Sequence, residues 1–325
     1  RNCLYTRGRL NLKNNNKMQK IFVGILLVVV GLLVWLGACL LQDSRSTGLA
    51  IFNNTLKLID PITVNYDIAF GDESWQTLDV YPSDNSHPVA PVIVFIHGGG
   101  WNWGDKSMYY FVAHAFVSRG YTVVIPDYVK YPEGHFPQFI EDGAKTLVWV
   151  KENISRYNGN PQQIYLAGHS AGAHTGALLM TDKHYLADVG MSVGDISGFA
   201  GIAGPYAFTP DSPEYIATFG EENFHTMKAT SHVDGNEPPM LLLHARGDSA
   251  VGEFNQQQLA QALQQAQQPV QTRLYGEGIN HINILLKLHP WFAGSVDTGH
   301  DIDEFFQLLS TQQFNEQRPV SQGLD

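Results

Sequence analysis

The sequence predicts an α/β fold, a mostly parallel sheet of eight strands with helices on both faces and a minimal lid. Apolar runs of strand length alternate with helical segments, which is the pattern of a sheet built from βαβ units. Residues 91–96 are apolar throughout, as expected of a strand that helices cover on both faces. The 31 glycines and 16 prolines are consistent with many tight connections between strands and helices.

The predicted elements follow in chain order. Residues 62–70 and 75–81 are β-rich and separated by Gly-Asp-Glu, which predicts an antiparallel hairpin at one sheet edge. Further strands are predicted at 91–96, 121–126, 164–167, 196–203, 239–244 and 270–275. Helices are predicted at 108–119, 137–157, 170–180, 252–267 and 302–309. The polar stretch 204–237, which contains Pro and Gly, is the place for a lid.

The chain is predicted to have four parts. A basic and then hydrophobic leader occupies residues 1–42, a linker 43–60, a single globular domain 61–312 and a polar tail 313–325. The formal net charge is -11, and residues 1–20 hold six of the 20 basic residues and none of the 31 acidic ones. The remainder therefore carries 14 bases against 31 acids, an excess of 17 negative charges. Such an acidic body repels phosphate backbones, which argues against a nucleic-acid partner.

The leader predicts an association with a membrane. Residues 21–41 contain no charge and no proline, and as a helix they would extend about 31 Å, the thickness of a bilayer core. Residues 36–39, Leu-Gly-Ala-Cys, resemble a bacterial lipobox, in which Cys39 would be lipidated. A retained membrane anchor, a lipoprotein signal and an ordinary cleaved signal all stay open.

The basic flank precedes the apolar run. By the positive-inside rule the globular domain is therefore expected outside the cytoplasm, held in the bacterial cell envelope or, alternatively, secreted. Translation is expected to start at Met18, directly before the run. Both cysteines, Cys3 and Cys39, lie in the leader, so no disulfide is expected within the domain.

The segment Gly168-His169-Ser170-Ala171-Gly172 contains the candidate nucleophile. It follows the predicted strand 164–167 and opens the predicted helix 170–180, the strand–turn–helix context that Gly-x-Ser-x-Gly requires. The turn is sharp and strained, so the residues that flank the serine must be small. The pattern alone is weak, and its position is what makes Ser170 the candidate.

A glycine-rich segment, His-Gly-Gly-Gly-Trp at 97–101, follows the predicted strand 91–96. Backbone amides in such a loop stabilise the negative charge that a carbonyl oxygen gains under nucleophilic attack. Gly99, Gly100 and the amide of Ala171 are the predicted oxyanion hole. A plain flexible loop is the structural alternative. A nucleotide site is excluded because neither Gly-x-Gly-x-x-Gly nor a Walker pattern follows the strand.

Asp248 follows the predicted strand 239–244, and His281 follows the last predicted strand. In a catalytic triad His281 would take the proton of Ser170, while Asp248 would fix the imidazole tautomer. Each residue alone is more often an ordinary loop residue. The chain order serine, acid, histidine and the two preceding motifs make both residues candidates.

Four further side chains near these motifs are candidates for a substrate pocket, although some of them are expected in the core instead. They are Trp101, Tyr128, His169 and Tyr206. Asp127-Tyr128 and Glu141-Asp142 are expected to anchor loops by hydrogen bonds. The histidines lack metal-binding spacing such as His-Glu-x-x-His, so no metal site is predicted.

These stretches resemble the esterase/lipase branch of the α/β-hydrolases, near hormone-sensitive-lipase-like esterases and bacterial carboxylesterases, and near the kynurenine formamidases and prenylcysteine methylesterases. The matching stretches are 97–101, 131–137, 168–174, 247–248 and 278–281. The resemblance implies an α/β-hydrolase catalytic domain over 61–312. It also implies hydrolysis of a small-molecule carboxylic ester, with a small to medium acyl group, through an acyl-enzyme and without a cofactor. Residues 128–133, Tyr-Val-Lys-Tyr-Pro-Glu, depart from the family's Tyr-Arg-Leu-Ala-Pro-Glu.

Two alternative functions stay open. One is amide hydrolysis of the arylformamidase type. The other is a catalytically silent member of the fold that serves as an envelope-tethered binding module. The presence of a nucleophile, an acid, a base and a glycine loop favours an enzyme over the binding module.

Overall fold

A computed structural model describes residues 44–84 and 89–316. The predicted membrane segment 21–41 and Cys39 lie outside the described residues, as do residues 317–325 of the predicted tail, so those assignments stay predictions. Within the described ranges, no helix combines the length and the apolar character needed to cross a bilayer.

The chain divides into two units, residues 1–60 and 61–325. In the first unit, the predicted linker contains a helix, α1 (Ser44–Ile59). The second unit holds the sheet and the residues of both motifs.

One eight-stranded sheet organises the second unit. Its strands are β1 (Asn65–Ala69), β2 (Thr77–Tyr81), β3 (Ala90–Ile96), β4 (Thr122–Pro126), β5 (Gly159–His169), β6 (Gly198–Ile202), β7 (Met240–Ala245) and β8 (Val270–Tyr275). They lie in the order β1-β2-β4-β3-β5-β6-β7-β8. The β1–β2 and β2–β4 pairs are antiparallel, and the other five pairs are parallel. The predicted fold class and the hairpin at the sheet edge are confirmed.

Helices connect the strands. They are α2 (Tyr110–Val117), α3 (Gln138–Asn153), α4 (Ala171–Thr181), α5 (His184–Ala187), α6 (Pro213–Phe219), α7 (Phe254–Gln265), α8 (Asn283–Leu286) and α9 (Thr298–Glu316). Short 3₁₀ turns occupy Lys106–Tyr109, Ile154–Tyr157, Val193–Asp195, Glu221–Asn223 and Ala229–Ser231. The sequence patterns did not predict α5, α6 and α8, because four to seven residues are too few to show a helical period.

The central strands are buried on both faces. Along β3, Ile93 and Phe95 are buried as completely as Val92 and Val94, as the apolar run predicts. Small residues let α4 approach the sheet closely, since a methyl group on Gly176 would lie 2.6 Å from the ring of Phe199. The turn that precedes α4 therefore lies over a densely packed part of the core.

Residues 204–237, the predicted lid and hereafter the cap segment, lie against the loops that follow β3 and β4. The amide of Phe136 donates to the carbonyl of Thr218 (2.9 Å). The side-chain amide of Asn102 donates to the carboxylate of Glu214 (2.5 Å). These contacts place the cap segment beside the glycine loop.

Candidate active site

Ser170 lies in a strained turn between β5 and α4. Its backbone has φ 55° and ψ -120°, a conformation that residues other than glycine rarely adopt and that clusters at functional sites. A methyl group on Gly168 would lie 2.5 Å from the carbonyl oxygen of Gly172, and one on Gly172 would lie 2.1 Å from that of Ile96. The turn therefore requires glycine at both ends of the Gly-x-Ser-x-Gly motif, which is the physical basis of the sequence pattern.

Ser170, His281 and Asp248 form one chain of hydrogen bonds. The Oγ of Ser170 lies 2.9 Å from Nε2 of His281, and Nδ1 of His281 lies 2.7 Å from Oδ2 of Asp248. The three residues follow the ends of β5, β8 and β7. A carboxylate only accepts, so Nδ1 of His281 carries the proton and Nε2 is left to accept from the serine hydroxyl.

The environment of Asp248 favours its charged form. Its side chain is fully buried, and the amides of Ala250 and Val251 both donate to Oδ1 (2.9 Å each). Burial raises the pKa of Asp248, but the hydrogen bonds from His281 and from these two amides outweigh burial and hold the pKa below its ordinary value. Asp248 is therefore ionised at neutral pH.

The glycine loop passes directly beside Ser170. A methyl group on Gly98 would lie 3.2 Å from Cβ of Ser170. Gly99 and Gly100 have φ values of 131° and 59°, which glycine adopts without strain. In residues 44–84 and 89–316, no acceptor pairs with the amides of Gly99, Gly100 or Ala171. Amides without acceptors, in Ala171 and in a loop that contacts Ser170, are suited to binding an oxyanion.

His97 and two tyrosines hold the backbone of this loop in place. The imidazole of His97 is fully buried and stacks between Tyr109 and Tyr128, at centroid distances of 5.1 and 4.6 Å. Its Nε2 lies 3.2 Å from Oδ1 of Asp127. The hydroxyls of Tyr109 and Tyr128 donate to the carbonyls of Gly98 (3.2 Å) and His97 (2.9 Å). The backbone of the loop is thus fixed by side chains from two other segments.

Two family models match the chain. One is the BD-FAE family, over residues 78–194, and the other is the prolyl oligopeptidase family, over residues 142–285. Esterase B from Lactobacillus rhamnosis superposes with a TM-score of 0.70 at 20% identity, covering 82% of this chain and 93% of the other.

Curated relatives are consistent with these matches. A probable isoprenylcysteine alpha-carbonyl methylesterase of Arabidopsis thaliana is 26% identical over 272 residues, 76% of this chain and 55% of the relative. Kynurenine formamidase of Danio rerio is 30% identical over 150 residues, 46% of this chain and 49% of the relative. The chain has the α/β-hydrolase fold and is similar to the esterase/lipase branch of that fold. This α/β-hydrolase spans about half the length of these two relatives.

The four residues predicted to line a pocket are all buried in this α/β-hydrolase, at no more than 3% exposure. Tyr128 lies beneath the glycine loop. His169 lies beside the base, with Nε2 2.9 Å from the carbonyl oxygen of His281. Tyr206 packs on β6, since a methyl group on Gly201 would lie 2.1 Å from its hydroxyl. Their role as pocket lining stays a prediction.

Trp101 belongs to an aromatic cluster that joins the glycine loop to the cap segment. Its ring stacks on Phe208 (5.6 Å) and meets Phe219 edge to face (4.8 Å). His174 on α4 completes the cluster, and its Nε2–H donates to the carbonyl of Met227 (2.7 Å). The cap segment of this α/β-hydrolase is therefore packed on the loop that carries the predicted oxyanion hole.

Sequence reasoning missed the support from Tyr109 and the aromatic residues of the cap segment, which belong to no motif. Three of the expected anchors are confirmed. Asp127 pairs with His97, the hydroxyl of Tyr128 donates to the carbonyl of His97, and Asp142 accepts from Gln76 (2.7 Å) and from the amide of Val129 (2.9 Å). Glu141 is exposed on α3 instead. Among the described residues of this α/β-hydrolase, no group of three His, Cys, Asp or Glu is arranged to hold a metal ion.

Proposed function

We propose that this α/β-hydrolase cleaves small-molecule carboxylic esters through an acyl-enzyme formed on Ser170. The observation that carries the proposal is the continuous hydrogen-bond chain from Asp248 through His281 to the serine oxygen, with links of 2.7 and 2.9 Å. The relative from A. thaliana is named a methylesterase, and that name favours an ester over an amide.

Acylation proceeds through attack on the carbonyl carbon and loss of the alcohol. The Oγ of Ser170 attacks the carbonyl carbon while its proton moves to Nε2 of His281. The carbonyl oxygen becomes an oxyanion, which accepts hydrogen bonds from the amides of Gly99, Gly100 and Ala171. When the bond to the alcohol oxygen breaks, His281 returns the proton to that oxygen, and the acyl group stays on Ser170 as an ester.

Deacylation repeats these steps with water. His281 takes a proton from the water, whose oxygen attacks the acyl carbon, and the same three amides stabilise the second oxyanion. His281 then returns the proton to Oγ of Ser170 as the acid leaves. Asp248 stays a carboxylate throughout and stabilises the imidazolium each time it forms.

A substrate panel tests the ester proposal. We expect p-nitrophenyl acetate and butyrate to be hydrolysed with a higher kcat/KM than longer esters and than an N-formyl anilide. Ser170→Ala should lower kcat by a factor on the order of 10³ or more. A large preference for the formyl amide would favour the formamidase alternative, which the relative from D. rerio supports. Full esterase activity in Ser170→Ala would contradict the proposal.

We propose further that the enzyme is held at a membrane, with the catalytic domain outside the cytoplasm, by residues 21–41 or by a lipid on Cys39. The uncharged apolar run, the basic residues before it and the lipobox-like segment 36–39 support this. Fractionation of cells that express wild type and Cys39→Ala is the test. Release of Cys39→Ala from membranes supports lipidation, unchanged retention supports a helical anchor, and soluble wild type contradicts both.

A further inference from the structure

His169 is a titratable side chain in the catalytic centre that the proposed mechanism does not use. It is the last residue of β5 and directly precedes Ser170. Its side chain is buried, at 3% exposure. Its ring centroid lies 4.8 Å from that of His281, with an angle of 42° between the rings.

The contacts of His169 fix its tautomer. Nε2 lies 2.9 Å from the backbone oxygen of His281, and a carbonyl oxygen only accepts, so Nε2 carries the proton. Burial, followed by the neighbouring His281, lowers the pKa of His169 to about 3. The ring is therefore neutral at neutral pH, and it acts as a hydrogen-bond donor rather than as an acid or a base.

The Nδ1 edge of the ring meets the glycine loop. A methyl group on Gly98 would lie 2.9 Å from Nδ1 of His169, and Nδ1 has no hydrogen-bond partner among the described residues. His169 thus fills the space between the loop that carries the predicted oxyanion hole and the loop that carries the base. A side chain that leaves this space partly empty would disturb both.

The backbone around His281 is otherwise held mainly by short-range contacts. Oδ1 of Asn280 accepts from the amides of Ile282 (3.1 Å) and Asn283 (2.8 Å). Within the described residues, the carbonyl of His281 accepts from His169 alone. This bond links a side chain of the nucleophile strand directly to the backbone of the base loop. It acts on the residue whose imidazole must stay 2.9 Å from Ser170.

We propose that His169 is a positioning residue, which donates its Nε2–H to the carbonyl of His281 and so keeps the catalytic imidazole aligned with Ser170. The inference rests on the proposed serine-hydrolase function. A misplacement of about 1 Å at a reacting group lowers rates by a factor of up to about 10², so one fixed backbone contact has a measurable effect on kcat.

The test compares His169→Leu with His169→Gln. Leucine removes the donor, whereas the side-chain amide of glutamine presents an N–H close to the position of Nε2. With p-nitrophenyl acetate we expect His169→Leu to lose about 10- to 100-fold in kcat with KM within about 2-fold, and His169→Gln to stay within about 3-fold of wild type. Equal kcat in wild type and a folded His169→Leu, or an equal loss in both variants, overturns the inference.

Gln256→Leu is the matched control. Gln256 is also buried, and its side-chain amide donates to the carbonyls of Leu242 (2.7 Å) and Arg273 (3.0 Å), between β7 and β8. Its loss should lower the free energy of unfolding and leave kcat unchanged. If Gln256→Leu loses as much kcat as His169→Leu, the loss in His169→Leu is explained by lower stability, and the inference is overturned.

A second measurement does not depend on activity. In protein labelled with ¹⁵N-histidine, we expect His169 to be the Nε2–H tautomer in wild type, and the Nδ1–H proton of His281 to exchange with water faster in His169→Leu. A proton on Nδ1 of His169, or an unchanged His281 resonance, overturns the inference. If wild type neither hydrolyses esters nor reacts with a fluorophosphonate, the proposed function fails instead, and these resonances still decide the positioning role.

Discussion

Gly172 and Ile96 are in backbone contact, because a methyl group on Gly172 would lie 2.1 Å from the carbonyl oxygen of Ile96. Ile96 is the last residue of β3, directly before the glycine loop, and Gly172 is in the first turn of α4. This contact joins the nucleophile turn to the loop that carries Gly99 and Gly100. The turn that carries the predicted nucleophile is therefore packed directly against the strand end that leads into the predicted oxyanion hole.

Gly172→Ala should force the nucleophile turn away from the end of β3. The new methyl group can be accommodated only if the backbone of β3 or α4 moves, so we expect a loss of about 3 kcal/mol or more in the free energy of unfolding and of at least about 100-fold in kcat/KM. Urea unfolding and p-nitrophenyl acetate hydrolysis measure the two effects. Gly194→Ala is the control, since its methyl group would meet nothing closer than 3.5 Å. Near-wild-type values for Gly172→Ala would show that neither stability nor activity depends on this contact.

Tyr128→Phe distinguishes two possible roles of Tyr128, which are to hold the glycine loop in place and to line the substrate pocket. The lost hydroxyl leaves the buried carbonyl of His97 without its 2.9 Å donor, so we expect about 1 kcal/mol less stability and a several-fold lower kcat. The order of preference among acetyl, butyryl and octanoyl esters should stay the same. A changed order would instead place the Tyr128 side chain in contact with the acyl group.

The positions of the three triad residues follow from the order of the strands along the chain, and the sequence was sufficient to predict that order. Ser170, Asp248 and His281 each follow a strand, and parallel strands bring their carboxyl ends to one edge of the sheet. Apolar runs located β7 and the carboxyl-terminal part of β5, and β8, which is mostly polar, has the predicted bounds, 270–275. The Gly-x-Ser-x-Gly pattern was informative because it reports a steric requirement of the turn.

The remaining contacts join segments that no local pattern connects. His97 and Asp127 are 30 residues apart, and the aromatic cluster links Trp101 to the cap segment more than 100 residues later. β5 begins at Gly159 rather than at residue 164, because Gly159 pairs with Ala90 before an irregularity in register. A start signal for α6 was present, since Ser212 caps the helix and Pro213 is its first residue.

Acid should destabilise the fold through its buried histidines. Burial lowers the pKa of His174 to about 4, whereas the unfolded chain binds this proton near the ordinary value of about 6.5. The contribution of His174 is therefore fully present above about pH 6.5 and is lost as the pH falls toward the folded pKa.

His174→Gln removes this titration. Between pH 7 and pH 5, the free energy of unfolding should fall by about 2 kcal/mol less in His174→Gln than in wild type. Urea unfolding at pH 7, 6 and 5 gives the two slopes. Parallel slopes would contradict the assignment of a buried, neutral imidazole at this position.

Fluorophosphonate labelling followed by peptide mass spectrometry tests the proposed nucleophile most directly. Because His281 and Asp248 activate the oxygen of Ser170, we expect one adduct per chain, on the peptide that contains Ser170, and none in Ser170→Ala. Asp248→Asn should react on the order of 10³- to 10⁴-fold more slowly, since the tautomer of His281 is no longer fixed. An intact protein that forms no adduct on Ser170, or that is labelled equally well in Ser170→Ala, would contradict the account.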